Sequence, residues 1–353
     1  MFNLFARKQK PITSLTYADF WKWFQANQSD FHKILFKGKN VEQKFLNPVS
    51  EQLARVKEDL YLLAGKYDEN TVEVIFTPDG IIKNIIFAEE LVKNAPAIPG
   101  WKFTALKPAS DIMGFYIHIG DYEFSDKNLF FYPNEYKEYP DEISITVVHQ
   151  DYKNADKNTI INGVYLYLDN NLGELESVTT IDSLTIVPQS EAQAERIPIE
   201  KLKDYLAWRK KEFIEKYEGT HHDTTNDEYL GFEGTTPNNF PIIAILNQTL
   251  LKWNAKASHP WIAIMEFKYD GSERNGMPEP ETTALMEEIQ DSALAHLKDE
   301  DGYLYIGRET GNNNREVYWA CKDFRKPSKV FYELYRFHLF FTQFSSQQLL
   351  ENQ

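Results

Sequence analysis

The sharpest grouping of side chains able to do chemistry is His221-His222-Asp223, followed closely by Asp227 and Glu228. Imidazole and carboxylate are zinc-ligand types, and a hydrolytic metal needs them to reach one point, as residues four apart on a helix do. Adjacent residues in a polar stretch do not meet that need by themselves. His221, His222 and Asp223 are therefore weak metal candidates, and the expected reading is a solvated segment with no metal and no cofactor. The other histidines are scattered: His118 and His149 in predicted strands, His259 at a strand start, His296 and His338 on predicted helices. The chain has no G-x-S-x-G elbow, no H-E-x-x-H pair and no phosphate loop. Gly114 and Gly120 do not make a dinucleotide fingerprint. Glu89-Glu90 and Glu287-Glu288 are adjacent carboxylates, which an acidic chain usually places on solvated helix faces. Cys321, the single cysteine, adjoins no histidine or basic residue in sequence and reads as an ordinary buried thiol.

A second set of residues is suited to contact rather than reaction. Thr310, Gly311, Arg315 and Tyr318 surround a predicted hairpin tip, with Arg274 and Pro278 in the loop expected to face it. Turn chemistry and cross-strand packing account for these types most simply. The functional reading is an exposed aromatic and guanidinium patch, the chemistry enriched at interface hot spots. Between Glu266 and Asp301 there are eleven Asp or Glu against three Lys or Arg. That strip is either a soluble helix face or a dock for a basic partner, where it would steer association. Lys322, Arg325, Lys326, Lys329 and Arg336 make the last helix basic, so balance within the chain is an equal alternative.

The elements that must position these residues follow from apolar spacing. Trp261 to Tyr269 alternates and is rich in aromatic and β-branched types, which predicts a strand. Asp270-Gly271 ends it, and a loop runs through Arg274 to Pro278. From Pro280, Leu285 or Met286, Ile289, Ala293 and Leu297 fall on one helical face. Gly302 to Gly307 and Arg315 to Cys321 read as strands around a turn at Thr310–Asn314, and Lys326 to Leu339 as a helix. The order β-α-β-β-α, closed by a possible final strand, is that of a ferredoxin-like sandwich.

The Trp261 strand, Gly276-Met277-Pro278, the acidic helix, Thr310-Gly311, Arg315-Glu316 and Tyr318 resemble the bacterial domain-of-unknown-function 695 family over roughly the last third of the chain. The pattern is also similar to the ribonuclease E inhibitor protein B family, small ferredoxin-like proteins acting by protein–protein contact. The resemblance implies a fold and, through the second family, a protein partner.

Length and composition bound the rest. A chain of 353 residues suits two domains. A net charge of -15 disfavours a nucleic-acid surface and adsorption to anionic membranes. No segment approaches the roughly 20 apolar residues of a membrane span. One cysteine cannot pair internally, and Met1–Lys10 lacks a signal-peptide apolar run, so the cytoplasm is the default. The expected domains are an N-terminal α+β domain over 1–218, helical over 16–66 with sheet and helices over 71–217, a linker over 219–239, a C-terminal domain over 240–345 and a tail over 346–353. Residues 1 to about 12 read as a frayed terminus.

Thr16 is placed to cap the first helix, Gly38 to end a second one opened by Ser29, and Phe45 to Leu63 to continue helically beyond Pro48. Ile81 and Ile82 are candidates for a hairpin partner of the strand at Thr71–Phe76. The stretch from Thr71 to Val187 is a candidate second ferredoxin-like unit. Phe240 to Trp253 reads as a strand then a helix, or one helix. The leading expectation is a non-catalytic cytosolic protein whose C-terminal domain binds a protein. The alternative is a hydrolase or small-ligand enzyme with an inter-domain site, metal-assisted through His221 and His222. A third is nucleic-acid binding on the sheet face through exposed Tyr and Trp.

Overall fold

The protein is mixed α+β in a computed structural model that describes residues 15–110, 114–337 and 341–346. The expected frayed end, His338, the Arg336 side chain and the tail beyond Ser346 lie outside the described residues. The chain divides into two compact units, 1–134 with 143–203, and 135–142 with 204–353. No helix among the described residues is long and apolar enough to cross a membrane.

The first unit opens on helix α1 (Tyr17–Lys37). Thr16 caps it reciprocally: its hydroxyl accepts from Asp19 N at 3.1 Å, while the Asp19 carboxylate accepts from Thr16 N at 3.2 Å. Gly38 ends it with φ +62°. The two short helices expected on either side of Ser29 are thus one helix. Pro48 is the second residue of α2 (Asn47–Val56), directly after a π-helical turn over Glu42–Leu46, so the helical run carries on through it. The helix expected to continue to 66 stops at Val56. Residues Tyr61–Lys66 form strand β1 instead, because they pair antiparallel with β2 (Val72–Thr77). Pairing across the sheet overrides the helical stripe.

Helix α3 (Ile85–Lys93) then leads to β3 (Trp101–Ala105), which lies parallel to β2. Ile81 and Ile82 belong to the approach to α3, not to the expected hairpin. Edge-on rings from Phe20, Trp21, Phe24 and Phe76 fill the space between α1 and this sheet.

The rest of the first unit holds the hairpin β4 (Tyr116–Ile119) and β5 (Tyr122–Ser125), then β6 (Leu129–Asn134) and β7 (Ser144–His149). Helices α4 (Lys157–Leu172) and α5 (Glu174–Thr179), β8 (Ser183–Pro188) and β9 (Ile197–Pro198) complete it. The second sheet runs β8-β7-β6-β9. Residues 71–187 therefore contribute to three sheets and do not make the single ferredoxin-like unit expected of them. Glu174 is wholly buried. Its carboxylate accepts from Thr77 Oγ1 at 2.7 Å and from the amides of Gly80 and Lys107 at 3.0 Å, which satisfies a charge that burial alone would make costly.

Helix α6 (Leu202–Tyr217) begins at the junction of the units. The second unit is built on one six-stranded sheet. Its elements are β10 (Tyr229–Thr235), β11 (Pro241–Asn247), α7 (Gln248–Lys252), β12 (Trp261–Lys268), α8 (Pro280–His296), β13 (Tyr303–Gly311), β14 (Asn314–Cys321), α9 (Arg325–Phe337) and β15 (Phe341–Ser346). The strand order is β10-β11-β13-β14-β12-β15, every pair antiparallel.

Helices α8 and α9 bury Met286, Ile289, Ala293 and Phe331 against one face, which carries Ala263, Met265, Val317 and Trp319. Leu250 of α7 packs on the other face with Ile262, Ile264, Tyr318 and Ala320. Alternation along β12 and β14 dictates that split. One open reading resolves here and one expectation changes. Phe240–Trp253 is a strand followed by a short helix. The range 219–239, read as a linker, contains β10. Tyr229–Thr235 has two glycines and a weak pattern of its own. It is held as a strand by β11 across the turn at Thr236, whose amide donates to Phe240 O at 2.8 Å.

The hairpin turn is also tighter than the expected Thr310–Asn314. Only Asn312 and Asn313 turn, with φ +50° and +65°, the two left-handed positions of a two-residue hairpin. Thr310 and Gly311 are strand residues. A bulge interrupts β13: Tyr305 pairs with Trp319, but Gly307 rather than Ile306 is next, opposite Tyr318. Gly307 has φ +146°, and a Cβ there would stand 2.1 Å from Ile245 O. Gly307→Ala should therefore lower unfolding free energy by about 2–4 kcal/mol, read from the urea midpoint. Gly234→Ala, which meets open space in the same sheet, should move it far less.

Candidate functional site

The loop after β12 and the tip of the β13–β14 hairpin are bound together. Asn313 N donates to Gly276 O at 2.9 Å, Gly271 N to Asn313 Oδ1 at 2.9 Å, and Tyr269 N to Asn313 O at 3.1 Å. The Tyr269 hydroxyl lies 3.1 Å from both Gly276 O and Asn314 O. Within that frame Arg274 is exposed and pairs with Glu279 at 3.3 Å, and Pro278 is buried at the entry to α8.

Thr310, Gly311, Arg315 and Tyr318, expected as an exposed patch, are all buried. Nor do they share one face. Arg315 alternates with Val317 and Trp319 toward the helices, while Tyr318 points to the opposite face and donates to Glu316 Oε2 at 2.5 Å. Burial and the Glu316 carboxylate push the Tyr318 hydroxyl pKa up.

Arg315 is 4% exposed. Its Nε donates to Thr310 Oγ1 at 2.9 Å, the residue directly opposite on β13. Burial, then the charge of Arg308, holds its pKa below the usual arginine value. Arg308 was not singled out from sequence. It reaches Glu287 at 3.4 Å and the Gln290 side-chain oxygen at 3.4 Å, both on α8. Gln290 in turn donates to the Tyr305 hydroxyl at 3.3 Å. Burial pushes that hydroxyl up to about 12, so it keeps its proton at neutral pH. The available signal was an isolated glycine followed by a basic residue inside a strand pattern. Glu287, expected on a solvated helix face, is 45% exposed and also pairs with Arg308.

The histidine segment resolves differently. His221 is exposed, with Nδ1 3.1 Å from Gly219 O. His222 Nε2 lies 2.8 Å from Asp227 Oδ2, which also accepts from Asn247 at 2.7 Å. Asp223 turns away to accept from Thr225 N. Among the described residues no three His, Cys, Asp or Glu side chains converge as a metal set would. Asp299 of the acidic strip accepts from Thr224 N and Oγ1 at 2.9 Å, and Asp301 pairs with Lys326 at 2.6 Å. Part of that strip is thus balanced within the unit. Burial pushes the Cys321 thiol pKa up, away from the thiolate that reactivity needs. An open depression of about 550 Å³ beside α7 is lined by Glu228, Thr249, Lys252 and Trp253, and by neither His222 nor His259.

The other exposed feature is β10, all seven residues of which face solvent, with Phe232 48% exposed. Gln248 N donates to Glu228 O and Thr236 N to Phe240 O. In an antiparallel ladder that parity points the even-numbered backbone groups at β11. It leaves the amides of Tyr229, Gly231, Glu233 and Thr235 directed outward.

The second unit is thus a helix-backed antiparallel sheet with an exposed edge strand, β10, and a pair of guanidiniums of which Arg315 is buried and Arg308 partly exposed. Residues 234–344 match a family of unknown function, DUF695. That segment holds the whole Arg308–Arg315 cluster. No curated protein and no solved structure matches the chain.

His259 supplies a pH test of the fold around this sheet. It is 1% exposed, with Nδ1 2.9 Å from Ser258 Oγ. Burial, then the charges of Lys322 and His222, pushes its pKa from 6.5 down to about 4. The unfolded chain therefore binds this proton more readily than the folded one. Stability is full above about 6.5 and falls as pH drops toward 4. The loss is on the order of 2 kcal/mol. His259→Asn should flatten that part of the stability–pH curve relative to wild type in urea titrations at pH 4.5 and 7.5.

Proposed function

We propose that the chain is a non-catalytic protein-binding module that takes an extended segment of a partner protein as an added strand on β10. The observation that carries this is the seven-residue exposed edge with four outward amide positions. Edge strands in soluble proteins are usually blunted by lysine, proline, a bulge or a covering element. β10 has no lysine, no proline and no bulge, and Glu233 is its only charge. Strand addition uses such edges, with main-chain hydrogen bonds for affinity and alternate side chains for specificity. The partner segment would place apolar side chains beside Leu230 and Phe232, and a basic one beside Glu233. That sign also suits a chain of net charge -15.

The resemblance of the Trp261–Tyr318 sequence pattern to the ribonuclease E inhibitor protein B family is in keeping with a role in contact. We infer further that β12-α8-β13-β14-α9-β15 is a ferredoxin-like sandwich extended by β10 and β11. The lateral order β13-β14-β12-β15 supports this. The two compact units support a two-domain reading, with the boundary near residue 203 rather than over 219–239.

The test is selection of displayed ten-residue peptides on the full chain. Enriched sequences should alternate apolar and polar residues, with a basic residue in register. Gly231→Pro removes one outward N–H and leaves the ladder to β11 intact, so it should weaken the selected peptides at least tenfold. No enrichment, or equal binding by Gly231→Pro, would end the proposal. A wild-type dimer by light scattering that Gly231→Pro converts to monomer would also end it, since a second copy would then occupy the edge.

A further inference from the structure

The guanidinium of Arg315 is the most demanding group in the second unit. It is 4% exposed, and among the described residues its one side-chain hydrogen bond is the Nε contact to Thr310. Among the described residues Nη1 is buried without a partner, and no carboxylate pairs with Arg315. A buried charge is normally paired, because leaving water uncompensated is costly. The neighbouring charge makes matters worse. Arg308 lies opposite Val317, two residues from Arg315 on the same face, which sets the two side chains about 7 Å apart at their roots. Glu287, the carboxylate whose charge acts on Arg315, is itself engaged by Arg308 at 3.4 Å. Two guanidiniums against one carboxylate leave a local excess of one positive charge, inside a chain of net charge -15.

We propose that Arg315 and Arg308 form an oxyanion-binding site between α8 and the β13–β14 hairpin, which takes the carboxylate or phosphate group of a small anion. Guanidinium forks are suited to these planar or trigonal oxygen sets, and charge-assisted hydrogen bonds are the stronger kind. Arg315 is held in place before any ligand arrives, since Thr310 fixes its Nε end. Tyr305 adds a donor: its oxygen accepts from Gln290, and its own proton is retained at neutral pH. Entry is from the side of Arg308 and Glu287, whose side chains are partly exposed. The anion would complete Nη1 and share Arg308 with Glu287. The site is independent of strand addition at β10, because the outward amides of that edge take no part in it.

Nitrogen-15 arginine labelling of the full chain reads this site directly, through the Nε–H resonance of Arg315, identified by its absence in Arg315→Lys. Inorganic phosphate and acetate are titrated separately at constant ionic strength, with chloride as the balancing salt. The expected result is a saturable shift of the Arg315 signal with phosphate or acetate and none with chloride. The anion with the lower Kd distinguishes a phosphate from a carboxylate ligand. Arg308→Gln, at a partly exposed position, should weaken that Kd at least tenfold while the Arg315 signal persists, which reports an intact hairpin. Should neither anion give a saturable shift, water alone fills the site and the proposal fails. It fails equally if Arg308→Gln binds as wild type does.

Discussion

One extra residue in β13 decides what the second unit can do. Ile306 and Gly307 together oppose Tyr318. Because side chains alternate along a strand, a one-residue insertion moves every later side chain to the other face. Without the bulge, Arg308 and Thr310 would project with Glu309's present neighbours onto the face away from α8. With it, both stand on the helix side. There Thr310 meets Arg315, and Arg308 meets Glu287 and Gln290. The bulge in turn needs a residue without a Cβ, since the Ile245 carbonyl occupies that space. A glycine, not a charged residue, is therefore the origin of the guanidinium cluster.

The hairpin tip supplies the second constraint. Two asparagines at positive φ make the shortest reversal, and the Asn313 side chain and backbone then hold the 269–276 loop. Gly276 is pressed against Asn312, where a Cβ would stand 3.1 Å from its backbone. Arg315 is the next residue but one after this tip, and its side chain stays 4% exposed rather than snorkelling to solvent, its usual escape.

Much of this architecture was legible because long apolar patterns dominate it. The stripe Met286, Ile289, Ala293, Leu297 fixed α8, and the alternation of Trp261–Tyr269 fixed β12. Legibility failed where pairing partners outweighed local pattern. Leu60 and Leu63 fit a helix, yet β2 draws residues 61–66 into a sheet. Tyr229–Thr235 reads as polar connection, yet β11 makes it a strand. The site was half legible. The residue types Thr310 and Arg315 were singled out and do touch, but they were placed outside rather than inside. Exposure of residues beside a hairpin tip is the ordinary case, and nothing in one sequence announces that these will be buried. Arg308 was missed because its face depends on the bulge, and a bulge leaves no period to detect.

The two ends of the sheet's second half thus differ in kind. On β10 the unsatisfied groups are backbone amides in water, which cost little there and can wait for a partner. At Arg315 the unsatisfied group is a buried charge, which cannot wait without cost. Burial inverts the usual weighting of these two features: the conspicuous apolar edge is thermodynamically quiet, while the hidden arginine is the stressed group. The second unit as a whole must be stable enough to hold that charge away from bulk water. Any anion that bonds Nη1 therefore relieves an existing stress, so its affinity would exceed what the same contacts give at an exposed arginine.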